Sequence, residues 1–340
     1  MPGATTADML ATMDGAQDRP PKDLERTYRD RSGALVVAGL VVVLVGLGCA
    51  ALVPLTILAS VLSHGVVAPR STVAVSAFYA VVAAAFVWLG VGAVRARRWA
   101  RDLMLSVSRI WLLTGACTLL LGALVLPGLV RGAVAPAGLP PAVATTAVVV
   151  ILVGVALSQV LLPAALLLFF RSPEVAATCR ARSPEPQFTD SCPERVLTLT
   201  VVWALTGASV LVVPAYDFAF PLFGCLLQGA AGALPWALVL AACGALAWGS
   251  CRRAPWAWCA GIAATAAAAL ATVLTTLAVG PERLVRVLET GADRGGPSAS
   301  LPTPPTWAMV AGWLVVWGSV LVYLWSLRPY FRTPGAATDA

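Results

Sequence analysis

The chain has 340 residues, of which 59% are hydrophobic and 11% are charged, and its mean hydropathy is +0.85. Soluble domains carry about 25% charged residues, so this composition excludes an ordinary water-soluble enzyme, and the same hydrophobicity excludes disorder of the whole chain. The net charge of +7 comes from arginines grouped between apolar runs. That distribution is typical of membrane topology, whereas a nucleic-acid-binding protein places its arginines along one polar face. We predict a membrane protein with no nucleic-acid partner.

The predicted elements are eight apolar runs that follow a polar segment, residues 1–32, which lacks the apolar core of a cleavable signal peptide. A spanning helix needs roughly 20 apolar residues at about 1.5 Å each, and runs that are apolar on every side exclude the alternating strands of a barrel. The runs are Ala34–Leu62, Thr72–Val94, Leu103–Val130, Ala142–Phe170, Val196–Tyr216, Leu234–Ser250, Trp258–Gly280 and Trp307–Leu327. The sixth is the shortest and reaches full length if it begins near Gln228. We predict an all-α integral membrane protein with eight transmembrane helices.

The distribution of basic residues predicts that both termini lie in the cytoplasm. With the N-terminus inside, 17 basic residues fall on the cytoplasmic side and five on the opposite side, which satisfies the positive-inside rule. One further arginine, Arg109, lies inside the third run, from which its long side chain can reach the cytoplasmic headgroups. An even number of crossings agrees with termini on the same side.

Short motifs recur in the same order at offsets of 155 to 164 residues, which predicts two halves of four helices each. The matches are Val53-Pro54 with Val213-Pro214, Gly92-x-x-Arg95-x-x-x-Trp99-Ala100 with Gly249-x-x-Arg252-x-x-x-Trp256-Ala257, Leu129-Val130-Arg131 with Leu284-Val285-Arg286, Pro140-Pro141 with Pro304-Pro305, and Phe170-Arg171-Ser172-Pro173 with Phe331-Arg332-Thr333-Pro334. Because each half has an even number of crossings, we expect tandem, parallel four-helix repeats related by an axis along the membrane normal. The domains are then a cytoplasmic tail (1–32), a first half (33–170), a cytoplasmic linker loop (171–195), a second half (196–328) and a cytoplasmic tail (329–340).

The linker loop carries a pattern of aromatic, proline and cysteine residues. Its parts are Phe169-Phe170-Arg171-Ser172-Pro173-Glu174-Val175, Ala177-Thr178-Cys179 and Thr189-Asp190-Ser191-Cys192-Pro193, and the second half adds Pro221-Leu222-Phe223-Gly224 and Arg253-Ala254-Pro255-Trp256-Ala257-Trp258. These stretches resemble a group of uncharacterised bacterial multi-pass membrane proteins, in which the position of Phe170 is usually Tyr. The resemblance implies a multi-pass protein of the bacterial inner membrane, and it implies no activity.

The ionisable and nucleophilic residues match no catalytic motif, so no catalytic residue, metal or cofactor is predicted. The one lysine, Lys22, follows Pro21 and not the glycine of a phosphate-binding loop, and the one histidine, His64, supplies neither a zinc pair nor a base for a serine nucleophile. Cys179 and Cys192 frame the linker loop and are candidates for a metal or redox pair. Two reduced, packed cysteines are favoured, because a cytosolic loop lies in a reducing compartment and no further ligand completes a tetrahedral zinc site.

Two polar groups associated with the apolar runs are candidates for a functional role. Ser158 and Gln159 lie mid-run, where Pro163 removes the hydrogen bond to the carbonyl of Gln159 and creates a candidate polar site at the membrane midplane. A kinked helix whose amide bonds to a neighbouring helix is the structural alternative. Asp217, beside Tyr216, is a candidate acid at the outer end of the fifth run, either for cation or proton entry or as an interfacial group.

Three further sets of residues are predicted to mediate contacts. Interface anchors, which are also candidates for anionic lipid, are Arg95, Trp99, Arg252 and Trp256. Candidate contacts for a protein partner in the linker loop are Arg171, Cys179, Asp190 and Cys192. A small-residue face on the seventh run, which predicts close helix packing, consists of Ala260, Ala264, Ala268, Thr272 and Thr276.

The first functional hypothesis is a non-enzymatic scaffold or assembly subunit, favoured by the scarcity of buried charge and by the small-residue face. The second is a small-solute or lipid transporter with a site between the repeats, favoured by the parallel repeat and by Gln159 with Pro163. The third, a membrane-embedded enzyme, is disfavoured. A polar cavity between the halves that reaches Gln159 would favour transport, whereas a solid interface would favour the scaffold.

Overall fold

The computed structural model describes residues 30–62, 69–134, 140–185, 187, 189, 192–280, 284 and 305–331. Eight helices in these ranges are long and apolar enough to cross a membrane, which confirms the predicted number of spans. In no span is more than 39% of the most apolar window buried inside the protein. The remaining apolar side chains face outward, as expected where the surrounding solvent is lipid.

The helices, numbered in chain order, include one short helix in the linker loop. They are α1 (Ser32–Leu62), α2 (Pro69–Val94), α3 (Arg98–Val134), α4 (Pro141–Val155, a π-helical turn Ala156–Leu161, and Leu162–Arg171), α5 (Pro173–Arg182), α6 (Glu194–Ser209, continued by a 3-10 segment Val210–Tyr216), α7 (Ala230–Cys251), α8 (Pro255–Val279) and α9 (Thr306–Ser326, followed by a 3-10 turn Arg328–Phe331). Between α6 and α7 lie two strands, β1 (Phe220–Leu222) and β2 (Cys225–Leu227).

Proline residues fix several helix starts. α2, α4, α5 and α8 begin at Pro69, Pro141, Pro173 and Pro255. Proline is favoured there because the first turn leaves its N–H unbonded in any case, and the φ of proline is already helical. α7 begins at Ala230, close to the extended start predicted for the sixth run.

Glycine residues bring α1 and α2 into backbone contact. A Cβ added at Gly39 would lie 2.8 Å from the carbonyl oxygen of Gly90, and one added at Gly90 would lie 2.8 Å from the carbonyl oxygen of Gly39. Gly46 lies against the backbone of Ala83 and Val87 in the same way. Small residues allow this approach, which drives helix association in lipid through van der Waals contact.

The spans pack as pairs within each half. The most extensive contacts join α1 with α2, α3 with α4, α6 with α7 and α8 with α9. The halves meet where α3 packs against α6 and where α2 packs against the 3-10 segment Val210–Tyr216. Leu103 of α3 packs against buried clusters in both halves, so the interface between the halves at this level is filled.

The small-residue face of α8 differs from the predicted one. Ala264 is exposed, whereas Gly261 and Thr265 are buried, and the indole of Trp203 from α6 covers Gly261. A spacing of four residues advances about 40° per step around a helix of 3.6 residues per turn, so five such residues cannot all face one neighbour. The predicted face keeps contacts at both ends: Ala260 packs against the buried cluster of the second half, and Thr272 accepts a hydrogen bond from the Trp317 indole at 3.0 Å.

The bundle has two chemically different ends. The basic end carries Arg31, the Arg95–Arg101 turn, α5 and the 3-10 turn after α9; Arg31 contacts α5, and Phe331 packs with Cys192. The described residues nearest both termini therefore lie at the same end as the linker loop. The opposite end carries the start of α2 and the strand pair.

The two-stranded hairpin is a feature that the sequence did not predict. β1 and β2 pair antiparallel around Phe223 and Gly224, whose φ values are 42° and 97°. Two residues with positive φ form the tight turn that matches the twist of a hairpin, and glycine favours the second position. The Gly224 N–H donates to Thr275 Oγ1 of α8 at 3.1 Å, which fixes the hairpin to the bundle.

Candidate functional site

The candidate site is the linker loop and the basic end beneath it. The loop helix α5 forms because its N-terminal signals agree: the Ser172 hydroxyl accepts from the Val175 N–H at 3.4 Å, Pro173 follows it, and Glu174 stands in the first turn. Arg180 and Arg182 stand in the last turn, where cations interact favourably with the helix dipole.

Residues that precede α1 bind α5 directly. The Arg31 guanidinium pairs with the Glu174 carboxylate, and the Arg31 N–H donates to Thr178 Oγ1 at 3.3 Å. Asp30 pairs with Arg182 at 3.4 Å. Hydrogen bonds from the Ser32 N–H and hydroxyl lower the pKa of the Asp30 carboxyl. These contacts hold the loop helix against the start of the first span.

The first turn of α3 binds the loop from the other side. Arg101 Nε donates to the Phe170 carbonyl at 3.1 Å, which satisfies an unbonded carbonyl at the end of α4. The Arg101 guanidinium also pairs with Asp102 at 3.1 Å, and Asp102 accepts a hydrogen bond from Thr189 Oγ1 at 3.2 Å. Arg98 donates to the Ser183 carbonyl at 3.5 Å. The loop is thus bound along its length by residues of α3.

The structure corrects the proposed partner contacts of the two loop cysteines. Cys179 is 1% exposed and Cys192 is 8% exposed, so neither side chain reaches a partner. Both thiols are free, and they pack in different clusters, Cys179 with the first half and Cys192 with the second. The thiol that interacts with Cys192 is Cys251. Of the other predicted contacts, Arg171 is exposed and Asp190 lies outside the described residues.

Labelling with a maleimide at pH 7.5 should separate these thiols in single-cysteine variants. Burial raises the pKa of Cys179 to about 11 and that of Cys192 to about 12, so both stay protonated at neutral pH, whereas the thiolate is the reactive form. We expect rapid labelling of the exposed Cys251 and none of Cys179 until the protein is unfolded in SDS. Equal rates for Cys179 and Cys251 at pH 7.5 would contradict the buried placement.

The candidate midplane site is a helix–helix contact within the first half. Gln159 Oε1 accepts a hydrogen bond from Trp111 Nε1 of α3 at 2.6 Å, and Ser158 is exposed and donates to its own helix at Gly154. Pro163 is buried. A Cβ added at Gly115 would lie 1.9 Å from the Gln159 carbonyl oxygen, so that oxygen faces α3 and not a cavity between the halves. The structural alternative is therefore the one observed.

The candidate acid at the outer end is part of an ion pair. Asp217 pairs with Arg70 from the start of α2, and the two side chains are 28% and 37% exposed. Asp217 has φ 53°, and its carbonyl accepts the Gly229 N–H at 2.7 Å, so it also closes the loop that contains the hairpin. Tyr216 beside it is 38% exposed. This pair joins the two halves at the end opposite the linker loop.

Contacts between the halves near the basic end were missed by the sequence. Arg109, expected to extend to the headgroups, pairs with Glu194 of α6 at 2.6 Å. Thr198 Oγ1 donates to Ser106 Oγ at 3.1 Å, and Ser106 is fully buried. The sequence does show an acid at the start of one span and a base near the start of another. These positions alone do not specify which spans are neighbours.

The predicted interface anchors lie in two turns with the same backbone geometry. In the first turn, the Arg97 N–H donates to Gly92 O at 3.0 Å and Ala96 has φ 51°. In the second, the Ala254 N–H donates to Gly249 O at 2.9 Å and Arg253 has φ 53°. This is the Schellman helix end.

A tryptophan covers the glycine in each turn. An added Cβ at Gly92 would lie 2.7 Å from the Trp99 ring, and one at Gly249 would lie 2.6 Å from the Trp256 ring. Arg95 is exposed at the rim of the first turn, whereas the Arg252 guanidinium of the second lies 4.2 Å from the centre of the Trp248 ring. The turns are thus alike in backbone and differ in how their arginines are engaged.

In the described part of the chain, no group of three or more His, Cys, Asp or Glu side chains is placed to hold a metal ion. Comparison of the chain with protein-family models, with curated proteins and with solved structures finds no match. The resemblance of the linker loop to bacterial multi-pass proteins therefore stays a prediction.

Proposed function

We propose that this membrane protein is a non-enzymatic assembly subunit whose linker loop presents a fixed basic surface to an acidic segment of a partner. The observation that carries the proposal is the attachment of the loop: α5 is held by Arg31 on one side and by α3 on the other. A loop that only connected two halves would not need these contacts, and long structured loops in compact domains are usually functional.

The charge left on the loop surface supports an acidic partner. Arg171 and Arg180 are exposed, and neither has a carboxylate partner among the residues that the structure describes, whereas Arg31 and Arg182 are both paired. Unpaired arginines on an ordered element bind carboxylate or phosphate groups in bidentate geometry. Arg171 and Arg180 therefore replace the cysteines as the proposed contact residues.

The proposal includes a topology in which the basic end faces the cytoplasm of a bacterial cell, with the chain in the inner membrane. The excess of arginines at this end supports the orientation. Two matching turns, at Gly92 and Gly249, and the same pairing of first with second and third with fourth spans in both halves support a tandem, parallel repeat. A rotation about the membrane normal relates such repeats.

The transporter alternative has less support than the assembly subunit. Gln159 would mark a transport site, but its side-chain oxygen accepts a hydrogen bond from Trp111 within the first half. The halves are joined by Arg70 with Asp217 at one end and by Arg109 with Glu194 near the other. Ion pairs at both levels favour a fixed arrangement over the rocking of one half against the other.

Photo-crosslinking in cells tests the assembly function. A photoreactive amino acid at Ala181, which is exposed beside Arg180, should form one defined protein adduct. The same probe at Leu168, which is 70% exposed on α4, should form none. The combined variant Arg171→Glu with Arg180→Glu should remove the Ala181 adduct, because charge reversal repels an acidic segment.

A matched variant controls for general loss of positive charge. Arg195 is an exposed arginine at the other end of the loop, and Arg195→Glu should leave the adduct in place. An Ala181 adduct that survives the double reversal, or the absence of any adduct in the unmodified loop, would contradict the proposed contact surface.

A further inference from the structure

A cavity of about 230 Å³ opens beside the turn between α2 and α3, at the basic end. It is lined by Trp88, Val91, Gly92, Arg95, Arg97 and Trp99. The rings of Trp88 and Trp99 stack with their centroids 4.2 Å apart. The absence of a side chain at Gly92 allows the Trp99 ring to pack closely against the helix. The cavity thus has an aromatic wall and a cationic rim.

The cavity lies at the depth where lipid headgroups meet a membrane protein. α2 and α3 are both spans, and the turn that joins them lies after the last residue of α2 and before the first residue of α3. Trp88, in the last two turns of α2, is 53% exposed and opens the cavity onto the lipid-facing surface. Tryptophan is enriched at this level because its ring is apolar and its N–H is polar. An occupant would meet apolar surface on one side and guanidinium groups on the other.

No acid among the described residues neutralises the two arginines at the rim, and unlike Arg171 and Arg180 they lie beside a cavity. Arg95 and Arg97 are exposed, and within the described ranges neither is paired with a carboxylate, whereas Arg31, Arg101 and Arg182 are each paired. Two unneutralised guanidinium groups beside one cavity attract an anion, and phosphate is the anion whose geometry the guanidinium fork fits.

The second turn shows that this rim does not follow from the backbone alone. The Gly249 turn has the same hydrogen bonds and the same positive φ, but its Arg252 guanidinium covers the Trp248 ring. That cation–π contact engages the arginine, and Ala245 stands at the position equivalent to Trp88, so the second turn lacks this aromatic wall. The two turns therefore provide a site and a matched control in one chain.

We propose that the cavity at the first turn binds the headgroup phosphate of one anionic phospholipid, with Arg95 and Arg97 on the phosphate and the acyl chain against Trp88 and Val91. A phospholipid is favoured over a soluble anion because the cavity opens onto the lipid-facing surface through an aromatic wall. This inference is independent of the partner contact at Arg171 and Arg180. It assigns the first Arg–Trp cluster to lipid binding and the second to anchoring.

Native mass spectrometry of the purified full chain, titrated with phosphatidylglycerol or phosphatidylcholine, tests the assignment. We expect one phosphatidylglycerol to bind more tightly than phosphatidylcholine. Arg95→Gln with Arg97→Gln should weaken phosphatidylglycerol binding about thirtyfold, since each basic group near an anionic lipid contributes roughly a fivefold gain. Arg252→Gln with Arg253→Gln should leave the binding within about twofold of the unmodified protein. Equal unfolding temperatures show that both variants are folded.

Three outcomes would overturn the proposal. Equal weakening by both double variants would mean that the basic end attracts anionic lipid without a site. Equal binding of the two lipids would mean that the phosphate charge is not recognised. Full displacement of phosphatidylglycerol by inorganic phosphate would mean that the ligand is a soluble anion.

Discussion

Replacing Gly115 by alanine is expected to destabilise the first half by about 3 kcal/mol, at the upper end of overpacking costs. The added Cβ would lie 1.9 Å from the carbonyl oxygen of Gln159 on α4. That oxygen belongs to backbone and cannot rotate away, so the two helices must separate. Separation would also break the hydrogen bond from Trp111 to the Gln159 side chain. The free energy of unfolding in mixed SDS micelles, followed by circular dichroism, measures the effect.

The local structure of α4 explains why residue 115 on α3 must be glycine. Pro163 cannot donate a hydrogen bond to the Gln159 carbonyl, four residues earlier, and α4 widens to a π-helical turn there. The freed oxygen faces the direction in which a glycine Cα carries a hydrogen, which is the geometry of a weak Cα–H···O contact. Proline on one helix and glycine on the other therefore form one packing unit.

Gly122→Ala is the matched control on the same helix. Its added Cβ would lie 3.5 Å from a Leu152 methyl group, which is ordinary van der Waals contact. This variant should be neutral or slightly stabilising, because alanine is favoured over glycine in a helix interior by about 0.5–1 kcal/mol. Equal destabilisation by both substitutions would contradict the close approach at Gly115.

The second large effect is expected at the contact between Gly39 and Gly90. Gly39→Ala and Gly90→Ala should each destabilise the chain by about 2 kcal/mol, since each added Cβ would lie 2.8 Å from the opposing carbonyl oxygen. The double variant should cost less than the sum of the two, because the first alanine already separates α1 from α2. The same unfolding measurement applies, arranged as a double-mutant cycle.

The control for this contact is Gly48→Ala, also on α1. No atom lies within 4 Å of its added Cβ, so the substitution has space and should raise helix stability slightly. Additive effects of Gly39→Ala and Gly90→Ala would mean that the two glycines act at separate contacts, and the backbone approach described above would be wrong.

Several features of the fold could be predicted because they depend on neighbouring residues alone. Span number follows from the length of apolar runs. The starts at Pro69 and Pro255 were not predicted: the helices begin three residues before the apolar runs at Thr72 and Trp258, at prolines that are favoured in a first turn. The freed carbonyl of Gln159 was predicted from Pro163, four residues away. The contact that this carbonyl makes with Gly115 was not predicted. Nothing in either run specifies that α3 lies beside α4 with Gly115 at the level of Gln159.

The candidate site was predicted less well than the fold. The linker loop was identified and packing of its cysteines was favoured, yet Cys179 and Cys192 were also offered as candidate partner contacts although both are buried. Cysteine is compatible with either place, since it behaves as a small hydrophobe in a core and as a ligand at a surface. Arg171 and Arg180 are exposed without an acidic partner in the described residues, whereas Arg182 pairs with Asp30. This difference could not be predicted because Asp30 is distant from Arg182 in the sequence.

The amino-acid sequence was sufficient to predict a membrane protein, the number of its spans and the backbone carbonyl that Pro163 leaves unbonded in α4. These properties arise from hydrophobic transfer and local backbone sterics, which need no knowledge of distant residues. Which charges are neutralised by an ion pair, and which remain available to bind a ligand, depends on the tertiary structure. Arg70 pairs with Asp217, and Arg109 pairs with Glu194, each across the two halves. Arg95 and Arg97 have no acidic partner in the described ranges. A side chain's electrostatic role depends on what folding brings within a few ångströms of it, because the attraction between charges weakens with distance and is screened by water and salt.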